Sequence, residues 1–159
     1  MKAQTPSVHV VAALIRRGTD VLLVKQQGPE DPAPSWSLPG GVVEAGELLP
    51  ESLAREVVEE CGLTILDPGR ILYAAQQQFP PGAWREVEDV VVFVFEVGDW
   101  SGKLFCDDPD GLAAAACFLS PTEAIALLET APLRMMREPV AAYLRGEANP
   151  AAMWFYRRL

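Results

Sequence analysis

The chain has a single histidine, His9, and only three cysteines, Cys61, Cys106 and Cys117, among 159 residues. An odd cysteine count with no pair at two-residue spacing argues against a zinc knuckle and a redox pair, so the three are expected as reduced core thiols. His9 stands among valines and is expected to be structural, which removes the usual imidazole base from the chemistry. Basic residues are scarce, 13 Lys and Arg against 22 Asp and Glu, for a formal net charge of −9. That balance excludes sequence-independent binding to a nucleic acid polymer, which needs a basic face to displace counterions. Long apolar runs are also lacking: none approaches the ~20 residues that span a bilayer, so no membrane partner is expected. The first apolar run closes at Arg16-Arg17, not at a small-residue cleavage site; it reads as a strand, and a cytoplasmic location is the expectation.

What is present is apolar content of 50%, enough for one domain over residues 1–159 with a real core. Val8 to Arg16 and Val21 to Gln26 are β-rich runs around "RGTD" and are expected to form a hairpin. "QQGPEDPAPS" reads as an exposed loop and "WSLPGG" as a short extended piece. A helix is expected from Pro50 to Cys61, with Gly62 as its left-handed cap. "LTILDPGRILYAAQQQF" and "EVEDVVVFVFEV" read as strands on either side of "PPGAW". "GDWSGKLFCDDPDG" reads as a loop; "LAAAACFL" fits strand or helix by periodicity, and its position between two loops favours a strand. Ser120, Pro121 and Glu123 mark the start of a second helix, "PLRMMREPVAAYLRG" a third that is bent or broken at Pro139, and "AMWFYRRL" a last strand. The fold class is α/β (α+β), an α/β/α sandwich with a mixed β-sheet. Met135-Met136 and "MWFY" suit either the core or the surface of a homodimer, with core favoured.

The densest charge lies in "GGVVEAGELLPESLAREVVEECGL", Gly40 to Leu63, with six Glu and one Arg. At about 100° per residue, Leu53, Ala54, Val57, Val58 and Cys61 form a continuous apolar face. Glu56, Glu59 and Glu60 share an arc of roughly 100° outside it, where like charges repel unless something offsets them. A hard divalent cation such as Mg²⁺ takes oxygen ligands of this kind together with substrate phosphates. A solvated acidic helix face is the competing reading. Gly40-Gly41 after Pro39 are expected to adopt backbone conformations closed to other residues and so turn a carbonyl toward the carboxylates. Arg55 borders the acidic arc, where its planar fork can hold Glu47 or Glu56, or else form a simple surface ion pair.

From Gly41 the order is Gly, five residues, Glu47, seven residues, Arg55-Glu56-Val57, one residue, Glu59-Glu60, one residue, Gly62-Leu63. This resembles the Nudix box, and the preceding "WSLPGG" and the strand order are similar to that family as well. The resemblance implies hydrolysis, dependent on Mg²⁺ or Mn²⁺, of a small-molecule nucleoside diphosphate derivative. By position, Glu56, Glu59 and Glu60 would be metal ligands with the Gly40 carbonyl as a further one, while Arg55 and Glu47 would orient the cluster. Glu56 is the box candidate for general base; Asp107, Asp108 and Asp110 are the candidates outside it. For substrate contact, Trp36, Phe79 and Trp84 offer rings that stack or merely pack, and Lys25 and Arg85 offer cations for phosphate or sugar hydroxyls. Some ADP-ribose-cleaving members carry a Pro somewhat nearer the box than Pro80 and Pro81, which stand 17 and 18 residues after Leu63. ADP-ribose or a nucleotide sugar is therefore the favoured substrate. An ordinary or oxidised nucleoside triphosphate is the alternative, and a non-catalytic nucleotide-binding regulatory module is the alternative of another class; the intact box favours the enzyme.

Overall fold

The computed structural model of the chain describes residues 7–27, 32–83, 87–105 and 113–158, for 113–115 the backbone alone. Its organising strand is β1 (Ser7–Leu14), where Val11 to Leu14 are buried on both faces. A strand buried on both faces sits between neighbours, and β1 pairs antiparallel with β5 (Gly40–Val42) and parallel with β8 (Asp89–Glu96). β7 (Arg70–Gln78) pairs antiparallel with β8, and β11 (Ala152–Tyr156) runs parallel to β7, which completes a mixed five-stranded sheet in the order β11-β7-β8-β1-β5.

The expected long hairpin is therefore corrected. Both edges of β1 are occupied, so the chain leaves that sheet after Leu14, and only β2 (Arg16–Arg17) turns back on β3 (Asp20–Gln26). The turn uses Gly18 at φ 63°. β3 belongs to a second, antiparallel sheet with β4 (Ser35–Ser37) and β10 (Ala113–Leu119). The segment expected as a loop after Val97 also contains a strand, β9 (Asp99–Gly102), paired with β6 (Leu63–Asp67). Its Asp, Ser and Gly have low β-propensity, but Trp100 anchors it by stacking on Phe118 at 5.5 Å and donating its indole N–H to the Arg16 carbonyl at 3.0 Å.

Among the described residues there are three helices: α1 (Leu49–Cys61), α2 (Pro121–Leu128) and α3 (Arg134–Leu144). Alternation along the strands separates two cores. Ala12, Leu14, Val21 and Leu23 face α2 and α3 and pack with Leu128, Met135 and Val140. Val11, Ala13, Ile15, Leu22 and Val24 face α1 and pack with Leu53, Val57 and Cys61. Helices thus cover both sides of the β layer. α2 begins on Ser120 and Glu123, the Glu carboxylate accepting the Ser120 N–H at 3.1 Å. α3 runs unbroken through Pro139, so of the bend or break expected there the break is absent; Arg134 pairs with Glu138 at 2.8 Å, and Met135, Pro139 and Val140 are buried. β11 divides the "MWFY" stretch: Tyr156 is buried, Trp154 packs against the first core, and Met153 and Phe155 are exposed.

α1 starts one residue before Pro50 and ends on Gly62 at φ 75°, whose N–H returns to the Val58 carbonyl. Its buried stripe is rotated from the apolar face read in the sequence, since Val58 is 46% exposed while Glu60 is only 7% exposed. Leu53→Ala should therefore cost about 2–5 kcal/mol in urea unfolding, whereas Val58→Ala should stay within about 0.5 kcal/mol. Equal losses would contradict this orientation of the helix.

Candidate functional site

Glu56, Glu59 and Glu60 of α1 divide into two groups, set by what lies beside each. Glu56 and Glu59 turn toward Arg55, whose Nη1 donates to them at 2.7 and 3.3 Å. Arg55 also grips Glu47 with both arms of its fork, Nε to Oε1 at 2.7 Å and Nη2 to Oε2 at 3.0 Å. Its Nη2 further donates to the Val42 carbonyl at 3.2 Å and to the hydroxyl of the buried Ser52 at 3.3 Å. Glu47 is presented by a turn in which its N–H donates to the Glu44 carbonyl at 3.1 Å and its carboxylate accepts the Glu44 N–H at 3.0 Å. Arg55 thus contacts both Glu47 and Glu56, the two partners the sequence offered it.

These contacts set the local electrostatics. The bonds from Arg55 hold the Glu47 carboxyl at about 2, well below its ordinary 4.5. Hydrogen bonding to Glu47 in turn pushes the Arg55 guanidinium further up, so it is a fixed cation at any working pH.

Glu60 belongs to the other group. It flanks the buried stripe, and its Oε2 accepts the Gly40 N–H at 2.8 Å while its Oε1 accepts from Gln26 Nε2. The sequence arc placed the three Glu residues together; in the structure Glu56 and Glu59 meet on Arg55 and Glu60 turns inward. Among the described residues no three acidic side chains already stand as a metal-holding group. The donor chemistry still fits a hard divalent cation, since it is made of carboxylate oxygens alone. The fit extends to Gly41, where a Cβ would collide with the Glu56 carboxyl group that fills the space.

The two glycines act through space and not through unusual dihedrals. Neither is among the residues with positive φ, and both lie in β5. A Cβ at Gly40 would strike the Val11 carbonyl of β1. In the contact the structure shows, Gly40 offers its N–H to Glu60.

Lys25 and Trp36 are cross-strand partners, with Trp36 packed on the core that faces α2 and α3. Phe79 is 6% exposed and part of that same core, which is the packing alternative. Trp84, Arg85, Cys106, Asp107, Asp108 and Asp110 lie outside the described residues. His9 is exposed on its strand, edge-on to Phe93 at 6.0 Å. Ser52 and Gln26 were missed in the sequence. Gln26 had a signal: Leu22 and Val24 face α1, and period-two alternation puts Gln26 on the same side.

Comparison with known proteins agrees with this architecture. A family profile described as NUDIX domain matches residues 5–141. Over 58 residues the chain is 48% identical to "Putative 8-oxo-dGTP diphosphatase 2" of Mycobacterium tuberculosis, covering 36% of this chain and 41% of that protein, so the match spans about two fifths of the relative's length. Over 120 residues it is 29% identical to "CTP pyrophosphohydrolase" of Escherichia coli, covering 74% of this chain and 79% of that protein. Among solved structures, the Escherichia coli ORF135 protein superposes with a TM-score of 0.69 at 25% identity, covering 89% of this chain and 91% of that one. The MutT protein from Methanosarcina mazei gives 0.67 at 27% identity, covering 92% and 98%.

A carboxyl group whose folded value is lowered contributes stability above its unfolded value and loses it as pH falls through the folded one. For Glu47 the window runs from 4.5 down to about 2. The stability advantage of wild type over Glu47→Gln in metal-free buffer, read from urea midpoints, should be full near pH 7 and vanish toward pH ~2. A constant difference across that range would show that Glu47 does not titrate against Arg55.

Proposed function

The chain belongs to the Nudix family, and from that premise we propose that it is a pyrophosphohydrolase that cleaves a nucleoside triphosphate, ordinary or oxidised at the base, to the monophosphate and pyrophosphate. The observation that carries the reading is the carboxylate group organised on Arg55 beside the buried Glu60. The named relatives support the choice of substrate: one is described as an 8-oxo-dGTP diphosphatase and another as a CTP pyrophosphohydrolase. They reverse the order of preference from the sequence, where ADP-ribose or a nucleotide sugar came first on the weak pointer of Pro80 and Pro81.

In the reaction, water attacks a phosphorus of the substrate, the bridging P–O bond breaks, and pyrophosphate leaves. Glu56, Glu59 and Glu60 are the residues that would hold Mg²⁺ or Mn²⁺, with the Gly40 carbonyl as a further donor. A cation bound there supplies neutralisation of the phosphate charge and a lowered pKa for bound water. Glu56 takes the proton of the attacking water; Arg55 aims that carboxylate, and Glu47 keeps Arg55 in place. The net charge of −9 makes the cation requirement physical: an acidic protein and a polyphosphate repel each other without one.

With Mg²⁺ and a panel of CTP, dGTP, 8-oxo-dGTP and ADP-ribose, the purified protein should release pyrophosphate from a triphosphate faster than AMP from ADP-ribose. EDTA should stop the reaction, and Glu56→Gln should slow it about 100-fold or more. Preferential cleavage of ADP-ribose would overturn the substrate choice, and full activity in EDTA would overturn the cation's role.

A further inference from the structure

Among the described residues, Glu60 is the only charged side chain that is buried, at 7% exposure. An ionised carboxylate withdrawn from water needs hydrogen-bond donors in its place. Here the donors come from two different sheets. The Gly40 N–H belongs to β5 of the five-stranded sheet, and the Gln26 carboxamide ends β3 of the second sheet, where Gln26 is the register partner of Ser35 on β4. Each donor takes a different carboxylate oxygen, so together they fix both the position and the plane of the group. A carboxamide is neutral: it orients the carboxylate without adding a charge of its own, as a Lys or Arg at the same place would.

We propose that Gln26 is a positioning residue, which locks the Glu60 carboxylate in the orientation from which it serves the cation-holding acidic face. The proposal rests on the reading of Glu60 given under the proposed function. It assigns a role to the end of β3 that differs from that of Lys25, whose side chain stands on the opposite face of the strand.

The test uses the full chain and Mn²⁺ alone as the probe, followed by nucleotide hydrolysis. Gln26→Leu keeps the approximate volume and removes the donor. Gln26→Asn is polar and one methylene too short to reach Glu60, and it serves where the Leu variant does not fold. In a variant that retains its thermal transition, the Mn²⁺ dissociation constant should rise about 10-fold or more, and kcat should fall while KM for the nucleotide stays within about two-fold. Unchanged Mn²⁺ affinity in folded variants overturns the proposal, whether or not kcat falls, because Gln26 then acts elsewhere or not at all. A wild-type protein that binds no Mn²⁺ and hydrolyses nothing overturns the functional reading itself, and the role of Gln26 with it. Normal wild-type binding with unaffected variants removes only Gln26.

Discussion

Arg55 sets one planar guanidinium among Glu47, Glu56 and Glu59, and the shape of the acidic face depends on it. Like charges three and four residues apart repel along a helix by about 0.2–0.5 kcal/mol per pair, and a cation inside the group reverses that sign. The same guanidinium reaches the Val42 carbonyl and the Ser52 hydroxyl, so it also ties the end of β5 to the first turns of α1. Each exposed ion pair alone is worth little. The arrangement matters because one rigid fork satisfies several partners at once, which a flexible ammonium does not do.

The sheets supply the platform for that group. β1 is held between β5 and β8, which fixes β5 against the helix, and the absent side chains of Gly40 and Gly41 let strand and carboxylate approach closely. Leu53, Val57 and Cys61 then seat α1 on Val11, Leu22 and Val24. With the helix so placed, Glu56 and Glu59 lie toward the Arg55 side and Glu60 meets the Gly40 N–H and the Gln26 carboxamide. Rotation of the helix by a fraction of a turn would exchange these environments, so the chemistry of the face is inherited from ordinary apolar packing.

How much of this was legible follows from range. α1, its Gly62 end and the Ser120 cap rest on local signals and appear where the sequence placed them, whereas the β character of residues 113–119 was read from its place in the chain, its periodicity fitting strand or helix alike. The box spacing carried Arg55 and Glu47 correctly as partners. Errors arose where long-range pairing decides: β1 forgoes the nearby hairpin because β5 and β8 take both its edges, and β9 exists because Trp100 finds Phe118 and the Arg16 carbonyl. For Glu60 the angular reading held the answer unused. It lies about 60° from Val57, nearer the centre of the buried stripe than Val58 at about 100°. The substrate side was least legible, since Trp36 and Phe79 carry packing signals that do not distinguish a core ring from a stacking ring.

A double-mutant cycle on kcat/KM, with Glu47→Gln, Arg55→Gln and both together, probes most directly whether the carboxylates act as one unit held by Arg55. If Glu47 works only through Arg55, the double variant should be no slower than Arg55→Gln alone, with the whole Glu47 effect appearing as coupling. Additive losses from the two substitutions would contradict it.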